Sequence, residues 1–149
     1  MIRRLVLLFL ISAPPAMADC WHSAGERYGI EPELLQAIAV VESGLSPTAT
    51  NVNKNGSKDY GLMQINSQHL SHLKKYNITQ DSLIKNPCQN VMAGAWVLAG
   101  LMRKFGYSWE AVGAYNAGNG RDRKTKMWRQ RYIKKVVPVY LRLKKEHKE

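Results

Sequence analysis

The chain has 149 residues, 45% of them hydrophobic, with 22 Lys plus Arg against 11 Asp plus Glu. That is room for one domain of ordinary globular composition, which excludes a disordered chain, and the formal charge of +11 excludes an acidic solvating protein and points to an anionic partner or surface. Two cysteines exclude a disulfide-dense mini-protein and a four-cysteine zinc site, and four histidines without an HExxH pair carry no zinc signal, so no metal and no cofactor is expected.

Residues 1–18 read as a secretory signal peptide: Arg3 and Arg4, a short apolar run from Leu5 to Ala13, then the small-x-small site Ala16-Met17-Ala18. The run is too short to span a bilayer comfortably, so no transmembrane segment is expected in the mature chain, which starts at Asp19. Asp19 before Cys20 argues against lipidation there, because a lipidation site wants a small residue. Export would place the protein in an oxidising compartment, the periplasm, where Cys20 and Cys88 are expected to pair. The alternative is two buried free thiols.

The mature pattern is mostly helical. A short helix over 20–28 stops at Gly29, and Pro32 opens a second whose apolar stripe is Leu34, Leu35, Ile38, Ala39, Val41 and Leu45, ended by Gly44 and Pro47. Residues 46–60 are rich in Asn, Ser, Thr and Gly, with Asn55-Gly56 as a turn signal, and predict a loop or small irregular hairpin. Helices resume near 67–76 and 79–85. Pro87 starts a longer one that stops at Gly106, and Ser108 caps another over 109–114. The last is expected to begin near Arg129 and to be kinked or split at Pro138. Residues 19–120 carry no net charge, whereas residues 121–149 hold twelve Lys and Arg against three acidic residues. Arg121, Arg123, Lys124 and Lys126 are expected to border the functional cleft, and residues 144–149 to form a basic tail.

Three segments carry chemistry. Glu42 shares a helix face with Leu35, Ile38, Ala39 and Leu45, so its carboxyl is aimed at the apolar side. Desolvation and the negative end of the helix dipole both raise its pKa, as a general acid near neutral pH requires. A buried Glu paired with a cation is the structural alternative. Gln64 and Asn66 alternate with Met63 and Ile65, which offers two amides to one side, suited to sugar hydroxyls and N-acetyl groups, although taken alone such amides are equally structural. Tyr115 and Asn116 offer a ring for stacking and another amide, although Tyr-Asn-Ala-Gly is equally a helix end.

Taken in order, Glu42-Ser43, Gly61-Leu62-Met63-Gln64-Ile65-Asn66, Ala114-Tyr115-Asn116-Ala117-Gly118 and Arg131-Tyr132-Ile133-Lys134-Lys135-Val136 resemble the motifs of the lytic transglycosylase SLT family. The resemblance covers about residues 20–143. The Asp-Cys start, Asn86-Pro87-Cys88 and Ser108–Gly113 look like its small secretion-associated branch, whose members accompany type III and type IV secretion, conjugation and pilus systems. The resemblance implies a mostly helical α+β, lysozyme-like (goose-type) single domain over 19–143. It implies cleavage of the β-1,4 bond between N-acetylmuramic acid and N-acetylglucosamine in peptidoglycan, and docking to a secretion, conjugation or pilus apparatus. By position it makes Glu42 the catalytic acid/base, and it lines the cleft with Ser43, Met63, Gln64, Asn66, Tyr115, Asn116 and Tyr132, the last close to Glu42.

Asp59 departs from the usual pattern. It follows Glu42 by 17 residues, within a segment that also resembles the part of c-type lysozymes carrying their second carboxylate. It is either a second catalytic group, which would favour a hydrolysing muramidase, or a surface residue near the cleft. A non-catalytic module binding glycan or a partner is the competing class. The basic end has aromatics among its cations, but no nucleic-acid motif is present and export argues against such a partner.

Overall fold

The computed structural model describes residues 15–148. The charged and apolar parts of the expected signal peptide lie outside the described residues. Helix α1 runs Pro15–Tyr28, starting earlier than residue 20 and taking in the Ala16-Met17-Ala18 site. Pro32 occupies the first turn of α2 (Pro32–Ser43), where its missing N–H costs no hydrogen bond. Gly44 ends α2 in a left-handed conformation at φ 62°, and the Leu45 N–H reaches back to the Ala39 carbonyl. Leu45, assigned to the apolar stripe by spacing, lies beyond the helix end and is 41% exposed.

The Asn-rich segment forms more than a hairpin. Strands β1 (Thr50–Val52), β2 (Lys58–Tyr60) and β3 (Ile65–Asn66) make an antiparallel sheet in sequence order. Asn51 pairs with Asp59, and Asp59 with Asn66. Gly56 makes the β1–β2 turn at φ 84°, its N–H bonded to the Asn53 carbonyl. After the sheet the chain breaks into short turns around α3 (Leu70–Leu73), then α4 (Gln80–Lys85), capped by Thr79.

Helix α5 (Pro87–Phe105) is the axis of the core, with Val91, Ala95 and Leu98 fully buried among Ala24, Leu35 and Ile38. The disulfide Cys20–Cys88 ties α1 to its first turn, at a Cα–Cα distance of 5.2 Å. Asn90, one turn in, is fully buried. Its side chain accepts from the Met63 N–H (2.8 Å) and donates to the carbonyls of Tyr60 (2.8 Å) and Leu83 (3.0 Å). One amide thus fixes the sheet segment onto α5. Gly61, at φ 74°, sits so close to it that a Cβ would collide with the amide.

Helix α6 (Trp109–Ala117) extends past residue 114, so Tyr115 and Asn116 lie in its last turn. Helix α7 (Arg123–Glu146) starts before Arg129 because Asp122 caps it, accepting from the Thr125 N–H at 3.0 Å. It runs unbroken through Pro138. Proline removes one N–H, and the carbonyl released is that of Lys134; both residues are exposed, where water can satisfy it. The expected basic tail is likewise helix up to Glu146. Lys144 pairs with Glu31 at 2.8 Å, the Tyr140 hydroxyl donates to Glu31 at 2.6 Å, and His147 meets Glu33 at 2.9 Å. The fold is therefore mostly helical α+β, and no helix among the described residues is long and apolar enough to cross a membrane.

Candidate active site

Glu42 stands in the last turn of α2. Ile38 and Ala39, one turn earlier, are fully buried, so this face enters the core and the carboxyl emerges at its edge. Burial, the strongest influence, together with the charge of Asp59, pushes the carboxyl up to about 7; Tyr132, Lys135 and Asn116 pull the other way. The Tyr132 hydroxyl, reaching from α7, donates to Glu42 Oε1 at 3.2 Å. Burial and the Glu42 charge hold that phenol well above its ordinary range, so it stays a donor.

Across the cleft, β2 presents Asp59. Its oxygens accept from the amides of Asn53 (3.0 Å) and Asn66 (2.9 Å). The Ser57 hydroxyl accepts from the same two amides, each at 3.1 Å, and donates to Asn55 Oδ1 at 2.7 Å. Asp59 is thus held by neutral donors, in contrast with the desolvated Glu42. Two carboxyls in unlike surroundings can divide proton donation from charge stabilisation.

The Tyr115 hydroxyl donates to the Met63 carbonyl at 2.6 Å, locking α6 to the sheet segment. Arg129, 4% exposed, pairs with Glu110 at 3.0 Å and donates to the carbonyls of Gly118 (3.0 Å) and Gly120 (2.8 Å), which fixes the loop after α6. Between these walls lies a cleft of about 1320 Å³ containing both Glu42 and Asp59. It exceeds the roughly 300–1,000 Å³ of common small-molecule pockets and suits an extended polar ligand.

The family model described as Transglycosylase SLT domain matches residues 19–137. The chain belongs to the transglycosylase SLT family. As a member it is a lytic transglycosylase with peptidoglycan as its substrate. It is 47% identical over 140 residues to invasion protein IagB of Salmonella typhimurium, covering 94% of this chain and 86% of the relative. It is 45% identical over 147 residues to protein IpgF of Shigella flexneri, covering 98% and 95%. The X polypeptide of Escherichia coli matches at 39% over 139 residues, covering 93% and 82%. Among solved structures, an inactive mutant of lytic transglycosylase Slt from Pseudomonas aeruginosa matches with a TM-score of 0.65 at 21% identity, which shows likeness of fold. That match covers 85% of this chain but 24% of the solved one.

Within this SLT-family cleft the expected residues separate into two groups. Glu42, Asp59, Gln64, Asn66, Tyr115 and Asn116 line it, and Tyr132 lies behind Glu42 in an adjoining pocket. Ser43 and Met63 do not line it. The Ser43 hydroxyl is spent on the carbonyls of Leu62 (2.7 Å) and Ala39 (3.1 Å), joining α2 to the sheet segment. Met63 is fully buried, packed where a Cβ on Gly94 would strike it. Part of Gln64 is also structural, since Nε2 donates to the carbonyls of Ala49 (3.2 Å) and Gly61 (3.0 Å). None of Arg121, Arg123, Lys124 and Lys126 lines the cleft; its cations are Lys54, Arg103 and Lys104. Lys124 borders it indirectly, lying 4.9 Å from the ring centroid of Trp128, which is on the cleft wall. Trp96, His69 and Trp128 on the walls were not anticipated as cleft residues, because Trp96 sits within an apolar helical run and reads as core.

Proposed function

We propose that the chain cleaves the β-1,4 bond between N-acetylmuramic acid and N-acetylglucosamine and leaves a 1,6-anhydro end, with Glu42 as sole acid and base. The protonated Glu42 gives its proton to the glycosidic oxygen as the C1–O bond breaks. Positive charge develops on the muramic ring, and Asp59, the substrate's N-acetyl group, or both stabilise it. The ionised Glu42 then takes the proton of the C6 hydroxyl while that oxygen bonds to C1, which restores the acid. The observation that carries this reading is the Glu42 carboxyl held near 7 at the cleft wall, with the neutral Tyr132 hydroxyl orienting it. Ser43 and Met63 support the site from behind. The remaining cleft residues, Gln64, Asn66, Tyr115 and Asn116, would bind the strand.

We further infer export to the periplasm, on the signal-like residues 1–18 and the disulfide, and local opening of the cell wall for a secretion, conjugation or pilus apparatus. The relative named an invasion protein supports that role. Hydrolysis by water, with Asp59 as second catalytic carboxylate, is the second reading, favoured by the presence of Asp59 in the same cleft. Mass spectrometry of muropeptides released from purified sacculi tests both. Anhydro ends are expected with the wild type and none with Glu42→Gln; reducing ends alone would make the enzyme a hydrolase. Clearing by Glu42→Gln at more than about a tenth of the wild-type rate, a loss of under ~1.4 kcal/mol of transition-state stabilisation, would remove Glu42 from its role.

A further inference from the structure

Glu42 borders two cavities. Beyond the large cleft lies a pocket of about 260 Å³ whose walls include Asn116, Trp128, Arg131, Tyr132 and Lys135. The proton transfers described above use neither its two cations nor its tryptophan. Trp128, Arg131 and Lys135 stand at i, i+3 and i+7 on α7 and form one stripe of that helix. Trp128 also lines the large cleft, so the two cavities share an aromatic edge. Arg131 and Lys135 are exposed, and neither makes an ion pair among the described residues. Two cations without an ion-pair partner, in a pocket they share with a tryptophan and with the reacting carboxyl, are not what a neutral sugar needs. They match a sugar that carries a carboxylate.

We propose that this pocket is a carboxylate subsite, in which Arg131 and Lys135 hold an anionic group of the strand being cut. Peptidoglycan offers two sources: the lactyl carboxylate of muramic acid once its peptide is removed, and the carboxylates of the stem peptide. The proposal rests on the cleavage reading above and adds which part of the strand sets its register on Glu42. A carboxylate seated there also offsets the Lys135 charge and adds negative charge near Glu42, and both effects favour the protonated acid.

Binding to Glu42→Gln protein, which does not depend on cleavage, tests the subsite. Three soluble strands are compared at low and high salt: peptide-bearing glycan, glycan stripped by an amidase, and neutral chito-oligomers. Adding Arg131→Gln and Lys135→Gln should raise Kd about five-fold for a carboxylate-bearing strand, with a flatter salt dependence, and leave the chito-oligomer unchanged. Arg131→Lys with Lys135→Arg should retain binding. A rise with peptide-bearing strands alone assigns the stem peptide, and a rise with stripped strands assigns the lactyl group. Unchanged Kd for both anionic strands at low salt would overturn the subsite, as would an equal loss for the neutral oligomer. Failure of the cleavage reading would appear separately, in the muropeptide products of the wild type.

Discussion

The Glu42 carboxyl responds to each neighbour with a known sign. Asp59 raises its pKa, whereas Tyr132 and Lys135 lower it. Asp59→Asn removes a raising influence, so the Glu42 pKa falls from about 7. A general acid works in its protonated form, which is lost as pH rises through that pKa. The basic limb of the pH dependence of kcat should therefore move to lower pH in Asp59→Asn. If Asp59 also stabilises the glycosyl cation, kcat falls at every pH as well. Rates on sacculi from pH 5 to 9 measure both effects, and a basic limb displaced to higher pH would contradict the assignment.

At the scale of elements, the site depends on how the sheet segment is fastened to helices. Asn90 on α5 holds the backbone at Tyr60, Met63 and Leu83, and Tyr115 on α6 holds Met63 from the other side. Asn90→Ala leaves one buried N–H and two buried carbonyls without this partner. Each such loss costs about 1–3 kcal/mol, so a destabilisation of about 3 kcal/mol is expected after partial relaxation. Chemical denaturation measures it, and a loss below about 1 kcal/mol would show that the clamp is dispensable. Activity should fall too, because Asp59 and Gln64 ride on the segment that Asn90 anchors.

For the whole molecule, one covalent link and one long helix close the structure. Cys20–Cys88 spans 68 residues and joins α1 to α5. On the chain-entropy account that loop is worth about 4 kcal/mol. Cys88→Ala should lower Tm by roughly 15 °C, and reductant should do the same to the wild type but nothing to the variant. Melting curves that coincide with and without reductant would contradict it. Helix α7 does the corresponding work without a bond: it supplies Tyr132 to Glu42, Arg129 to the loop after α6, and Lys144 to Glu31 at the start of α2. The positive end of the chain is thus part of the frame and not an appendage.

The amino-acid sequence by itself determined the helix starts and stops marked by Pro32, Gly44, Pro87, Gly106 and Ser108, because caps and backbone restrictions are local. It also determined Glu42 as the acid candidate, since helix spacing places it on an apolar face, and the cysteine pair, since no other cysteines exist. Tertiary structure decided what local chemistry leaves open. Asp122 started α7 before Arg129, and solvent exposure let that helix pass through Pro138. Ser43 and Met63, which share a motif with cleft residues, were turned to backbone carbonyls and core, because a motif records residue type and not which partner a side chain finds. Trp96, Trp128, Arg131 and Lys135 reached the cleft or its adjoining pocket only when α5 packed against α2 and β3, and α7 against α2 and α6. Contacts between segments that distant are set by packing of the whole core, which no local spacing encodes.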